Sequence, residues 1–127
     1  MSQASIDALD GPFTTRQLLR LDEALRVADQ QTGLTFSVYL GDLEEPTREY
    51  AEQLHRQLEG APKAVLVAVS PNQRVLEIVT GSEARKRITD RDSKLAALSM
   101  AAAFAGGDLA GGVLSGLDQL SSHAGRH

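Results

Sequence analysis

The chain has 127 residues, a formal net charge of −4 and no cysteine. This length fits one domain that can bury a real core, and the lack of cysteine excludes disulfide scaffolds, zinc–cysteine sites and thiol nucleophiles. The acidic balance and the few aromatic residues (two Tyr, three Phe and no Trp) argue against nucleic-acid binding. The first ten residues lack a basic region followed by an apolar run, so we expect no signal peptide and a cytoplasmic location.

The chain opens with residues 1–12, which are polar, end in Gly11-Pro12 and are predicted to form a flexible arm. Thr14 and Gln17 then have the spacing of a capping box. Apolar residues at helical spacing predict a first helix from about Thr15 to Gln31, which stops at Gly33.

Strand 1 and the second helix come next. Alternation of apolar and polar residues from Leu34 to Leu40 predicts a half-buried strand. The second helix should run from about Pro46 to Leu58, with Tyr50 and Leu54 on its inner face and His55 exposed.

Two further strands are predicted to pair with each other. The run Ala64 to Val69 is continuously apolar, as expected of a central strand covered on both faces. Residues Arg74 to Thr80 form the next strand candidate, and the short link Pro71-Asn72-Gln73 predicts an antiparallel hairpin. The path from strand 1 through the second helix to strand 2 predicts a parallel βαβ crossover.

After Gly81 the chain is predicted to be helical. A short helix should run from Ser82 to Ile88, and a longer one, capped by Thr89 or Asp90, should continue to about Phe104. Its predicted buried face consists of Leu95, Leu98 and Ala102. Asp108 should cap a last helix that ends near Leu120, before a flexible tail at residues 121–127.

The segment Leu95 to Leu117 also has the composition of a membrane span, because Asp108 is its single charge. Gly112 and Gly116 have the spacing that lets membrane helices approach closely. However, Asp108 would lie near the bilayer centre at a cost of about 2.5–3.5 kcal/mol. Gly106-Gly107 favours a turn, so we predict two helices and no transmembrane segment.

The predicted fold class is α/β. We expect a three-layer sandwich in which a small mixed sheet, built from one parallel βαβ crossover and one antiparallel hairpin, carries helices on both faces. The domain should span residues 13–120, between the arm and the tail.

The order of these elements resembles the TPM domain family. The resemblance rests on Thr32-Gly33 before strand 1, on Glu49-Tyr50-Ala51 in the second helix, and on the hairpin from Ala64 to Gly81. Phe104 with Gly107-Asp108 resembles the family's last helix–turn–helix. The chain is also similar to short actinobacterial relatives of this domain whose function is unknown. It departs from the family at residues 59–63, where typical members have a longer loop with a tryptophan and a glycine.

The resemblance implies two alternative functions. One is a non-catalytic domain that binds an unknown protein partner in assembly or maintenance, with a link to the cell envelope. The other is a calcium-binding domain with phosphatase activity, because some members bind calcium and some plant members are credited with acid phosphatase activity. Calcium requires 6–8 oxygen ligands, and the candidate metal ligands are Asp42, Asp90, Asp92 and Asp108.

These carboxylates also have a purely structural interpretation. Asp90, Asp92 and Asp108 lie where helices begin, and a carboxylate there stabilises free N–H groups and the helix dipole. Asp42 follows strand 1, whereas Glu83 follows the antiparallel strand 3, so these two should lie at opposite edges of the sheet.

A basic segment, Glu83 to Lys94, has two alternative roles. Its five bases and three acids could form a docking patch for an acidic partner or a peripheral contact with anionic lipid, or a solvated face whose charges pair internally.

No pattern for catalysis stands out. The chain lacks a Gly-x-Ser-x-Gly turn, and Ser70 and Ser82 have no evident base. Asp90-Arg91-Asp92 follows a basic segment rather than a buried strand, unlike the Asp-x-Asp pair of dehalogenase-type phosphatases. We therefore favour a non-catalytic interaction domain, with calcium as the cofactor of the alternative.

Overall fold

The computed structural model describes residues 13–126, so the predicted arm at residues 1–12 lies outside the described residues. In chain order the main elements are α1 (Thr15–Thr32), β1 (Thr35–Leu40), α2 (Thr47–Arg56), β2 (Ala64–Ser70), β3 (Val75–Thr80), α3 (Asp90–Ala105) and α4 (Leu109–Ala124). Short 3₁₀ turns occupy Ala61–Lys63 and Ala84–Lys86. The second turn stands where a short helix from Ser82 to Ile88 was expected.

The three strands form one mixed sheet in the order β1-β2-β3. β1 runs parallel to β2, with Phe36 opposite Val65, and β3 runs antiparallel to β2, with Ile78 opposite Val67. The predicted crossover and hairpin are both confirmed, and with them the α/β fold class.

The sheet has a helix layer on each face. On one face, Phe36, Val67 and Ile78 belong to a large apolar core with residues of α1, α3 and α4. On the other face, Leu66, Ala68 and Val79 form a smaller core with Ala51 of α2. Every residue of β2 is buried, as predicted for a central strand covered on both sides.

The helix ends follow the predicted capping residues. Thr14 and Gln17 form the expected capping box, and Gly33 ends α1 in the left-handed conformation, at φ 78°, that glycine adopts most easily. Thr89, rather than Asp90, is the N-cap of α3, where it forms a second capping box with Asp92. α4 continues to Ala124, four residues beyond its expected end at Leu120, so part of the predicted tail is helical.

The predicted buried face of α3 is wrong. Leu95 and Leu98 are 43% and 68% exposed, and Ala102 is also exposed. The side that packs on the core carries Ala96 and Met100. The reason is the close approach of α4, whose glycines face this side of α3: a Cβ added to Gly116 would overlap the Met100 side chain, and one added to Gly112 would lie 2.7 Å from the Phe104 ring.

The expected exposure of His55 is also wrong. Its side chain is buried, and its Nε2 lies 3.0 Å from the carbonyl oxygen of Ala64. Because a carbonyl only accepts, this nitrogen carries the proton. This hydrogen bond therefore joins α2 to Ala64, the first residue of β2.

Candidate functional site

Asp42 lies at the edge of the sheet where the parallel strands β1 and β2 end. In an open α/β sheet this edge is the usual position of a ligand site. Here the Gln73 side chain spans it: its Oε1 accepts from the Leu43 N–H at 2.7 Å, and its Nε2 donates to the Leu43 carbonyl at 2.7 Å. The buried Ser70 hydroxyl also donates to Gln73, at 2.6 Å. These three hydrogen bonds of Gln73 are here called the latch. The Asp42 carboxylate is exposed beside it, 3.4 Å from the Asn72 amide nitrogen.

Asp92 lies in the first turn of α3 and belongs to its capping box. Its Oδ2 accepts from the Thr89 N–H at 3.0 Å, and its Oδ1 lies 3.3 Å from Nδ1 of His123 near the end of α4. The Thr89 N–H, followed in importance by the Thr89 hydroxyl and the neighbouring His123, holds the pKa of Asp92 below its usual value of 3.8. The neighbouring Asp90 makes no hydrogen bond or ion pair with residues 13–126.

Asp108 is the N-cap of α4, and its Oδ1 accepts from the Gly111 N–H at 2.9 Å. It lies beyond the C-terminal end of α3, whereas Asp90 and Asp92 lie at the start of the same helix. A helix of this length separates the two ends by about 24 Å, so one ion cannot bind at both.

The structure does not bring the four predicted metal ligands together. Within residues 13–126, no group of three or more His, Asp or Glu side chains is arranged to hold a metal ion. Asp92 and Asp108 make the capping bonds that the structural interpretation predicts. The described donors therefore do not fit a calcium ion with its 6–8 oxygen ligands.

The basic segment Glu83 to Lys94 is used partly inside the fold. Arg85 donates to the Thr80 carbonyl at 2.9 Å, and Lys86 pairs with Glu83 at 3.5 Å. Arg87 donates to three main-chain carbonyls at the ends of α1 and α4. Arg91 and Lys94 remain exposed on α3 and form no hydrogen bond or salt bridge with any described residue.

A cleft of about 530 Å³ lies between α2, the end of β3 and the start of α3. Its charged lining consists of Arg48, Glu52, Arg56, Arg85 and Asp90. Arg48 donates to the Ile78 carbonyl at 2.7 Å, so two arginines of this cleft bind carbonyls of the edge strand β3. They cover the strand edge, which would otherwise be free to pair with another chain.

His55 also lines this cleft, together with Ser82. The Nε2 of His55 donates to the Ala64 carbonyl, which leaves Nδ1 as the nitrogen that could take a proton, and no hydrogen bond joins Ser82 to His55 within residues 13–126. The cleft therefore does not supply the hydrogen-bonded nucleophile and base that hydrolysis by a serine requires.

The exposed side of α3 carries an apolar stripe. Leu95, Leu98, Ala102 and Ala105, here called the α3 outer face, are all exposed and follow one another at spacings of three, four and three residues. This is the spacing of a helix that packs against a partner helix. The sequence predicts the periodicity of Leu95, Leu98 and Ala102 but places these three residues in the core.

None of the helices in residues 13–126 is long and apolar enough to cross a membrane.

Comparison with known proteins supports the same fold. A family model described as a domain of unknown function, DUF5130, matches residues 2–121. The chain belongs to the DUF5130 family. It is 35% identical over 111 residues to the uncharacterized proteins Rv2468c and MT2543 of two strains of Mycobacterium tuberculosis. These matches cover 87% of this chain and 66% of each relative, so the chain spans just under two thirds of their length.

Three solved structures resemble this chain in fold. The BA42 protein of Bizionia argentinensis aligns with a TM-score of 0.78 at 16% identity, over 88% of this chain and 81% of its own. The N-terminal domain of a P. gingivalis protein gives 0.70 at 21%, over 89% and 76%. The N-terminal domain of cg2496 from Corynebacterium glutamicum gives 0.72 at 18%, over 88% and 74%. At these identities the likeness establishes the fold alone.

Proposed function

We propose that this DUF5130 domain is a non-catalytic protein-interaction domain of the TPM type that acts in protein assembly at the cell envelope. The α3 outer face is the observation that carries the proposal. Two leucines there are exposed on a helix that is packed on its opposite side by α4. From Leu95 to Ala105 this helix is apolar on every side except at Ser99, and such a helix segment is normally buried on all sides.

The residues next to the stripe strengthen this argument. Ser99 and Ala101 are exposed between Leu98 and Ala102, so this part of the α3 surface carries no charge. An apolar surface on a rigid helix is the kind of patch that binds another protein. The nearest charges, Arg91 and Lys94, lie one turn away, where they can form a polar rim.

Site-specific photo-crosslinking in cells that express the full chain tests this function. A photoreactive amino acid replaces Leu98 in one variant and Leu19 in the control, since Leu19 on α1 is 67% exposed and thus closely matched. We expect defined adducts from position 98 and only diffuse background from position 19. Equal background from both positions would refute the interaction function.

A further inference from the structure

We propose that the partner of the α3 outer face is the same face of a second copy of this chain, packed antiparallel about a two-fold axis. This proposal rests on the proposed function, because it requires that the face bind protein. In a symmetric homodimer of this kind, a residue i of one copy contacts residue j of the other, and j of the first contacts i of the second.

The distribution of side-chain sizes favours the antiparallel arrangement. The two large residues, Leu95 and Leu98, lie in the first half of the stripe, and the two small ones, Ala102 and Ala105, lie in the second half. Antiparallel pairing therefore sets Leu98 on the partner's Ala102 and Leu95 on the partner's Ala105. Large side chains then fill the space above small ones, which is how facing helices interlock.

The charges at the two ends of α3 are complementary in the same arrangement. On the side of the stripe, Arg91 and Lys94 are exposed at the first turns of α3, whereas Asp90 and Asp92 lie about 100° around the helix on either side of Arg91. The exposed Asp108 follows the last turn of α3. Antiparallel pairing brings the two bases of one copy close to Asp108 and the C-terminal carbonyls of the other, where cations are favourable. Parallel pairing would instead bring like charges together.

The size of the contact predicts its strength. The stripe extends over about 16 Å of helix, so one helix from each copy forms an interface smaller than the standard of about 800 Å² per partner. We therefore expect a reversible dimer that forms at high micromolar concentration.

Sedimentation equilibrium of the full chain, from low micromolar to millimolar concentration, tests the dimer. We expect monomer–dimer exchange for the wild type, about tenfold weaker association for Leu98→Asp, and unchanged association for Leu19→Asp. Circular dichroism would check that both variants remain folded. A wild-type chain that stays monomeric throughout, or one that associates equally well with Leu98→Asp, would overturn the proposal.

Cysteine crosslinking tests the register, and the chain is suited to it because it has no cysteine of its own. An equimolar mixture of Leu98→Cys and Ala102→Cys should form the mixed disulfide faster than either variant forms its own. Faster pairing of Leu98→Cys with itself would contradict the antiparallel register. Adducts from position 98 to a different protein, together with a monomeric chain, would remove this proposal and leave the interaction function standing.

Discussion

Arg87 and Ala124 are joined by two hydrogen bonds, although 37 residues separate them. The Nε and Nη2 atoms of Arg87 donate to the Ala124 carbonyl oxygen at 3.2 and 3.0 Å. Its Nη1 donates to the Thr32 carbonyl at 2.6 Å. One guanidinium group thus satisfies free carbonyls at the C-terminal ends of α1 and α4, where a positive charge is also favoured by the helix dipoles.

Replacing Arg87 should destabilise the fold. We expect Arg87→Gln to lower the free energy of unfolding by about 2 kcal/mol, since several charge-assisted hydrogen bonds to part-buried carbonyls are lost. Urea denaturation measures this change. Arg26→Gln is the matched control, because Arg26 is exposed and, among residues 13–126, pairs only with Asp22 and Glu23 on its own helix. Equal effects of the two substitutions would show that the Arg87 bonds contribute no more than a surface pair.

Sequence patterns could predict the elements and the sheet, but they could not orient α3. The order of the strands in the sheet follows from the short link between β2 and β3 and from the helical crossover between β1 and β2, both visible in the sequence. In α3, however, Leu95 and Leu98 share one helical face while Ala96 and Met100 share another, and both faces are apolar. The large side chains of Leu95 and Leu98 favoured the prediction that their face is the buried one. Which face of α3 is buried depends on the glycines of α4, which are distant in sequence.

The candidate site could be predicted only in part, for a similar reason. The capping roles of Asp92 and Asp108 follow from local sequence, because their partners lie three residues away. The latch formed by Gln73 and the burial of His55 depend on main-chain atoms of distant segments, Leu43 and Ala64. No local sequence pattern predicts such main-chain partners.

Gly81 should not tolerate a side chain. A Cβ at this position would overlap the main-chain oxygens of Ala61 and Pro62, which accept from the Ala64 and Glu83 N–H groups and cannot move without breaking these bonds. We expect Gly81→Ala to cost about 3 kcal/mol, as measured by urea denaturation.

Gly106→Ala is the control for this prediction. An added Cβ there would lie 3.5 Å from its nearest neighbour, an ordinary contact, and the φ of −84° suits alanine. Its effect should stay within about 0.5 kcal/mol. If Gly81→Ala were equally mild, the turn between β3 and α3 would be able to move aside.

Asp108 offers a test that separates capping from calcium binding. Asp108→Ala should cost about 1 kcal/mol, because the Gly111 N–H loses its acceptor, whereas Asp108→Asn keeps an oxygen there and should stay close to the wild type. Capping alone also predicts that added calcium leaves the thermal unfolding midpoint unchanged. A midpoint that rises with calcium in the wild type but not in Asp108→Asn would instead establish a metal-binding role for this carboxylate.

The contribution of Asp92 to stability should disappear in acid. Its pKa is lowered in the folded state, chiefly by the Thr89 N–H, so the folded chain binds fewer protons than the unfolded chain near the ordinary value of 3.8. Its stabilising effect is therefore fully present above that value and is lost as the pH falls through the lower, folded-state pKa. We expect Asp92→Ala to be less stable than the wild type at pH 7, with the difference in unfolding free energy shrinking steadily as the solution is made more acid.

Gln17→Ala is the control for this pH dependence. Gln17 occupies the same position in the α1 capping box, where its Oε1 accepts from the Thr14 N–H at 2.9 Å, but its amide does not titrate. Its substitution should therefore cost the same free energy in acid and at neutral pH. Urea titrations of the wild type and both variants across the acid range would measure the two differences. An Asp92→Ala difference that persists in acid as fully as that of Gln17→Ala would show that the charge of Asp92 does not contribute to the cap.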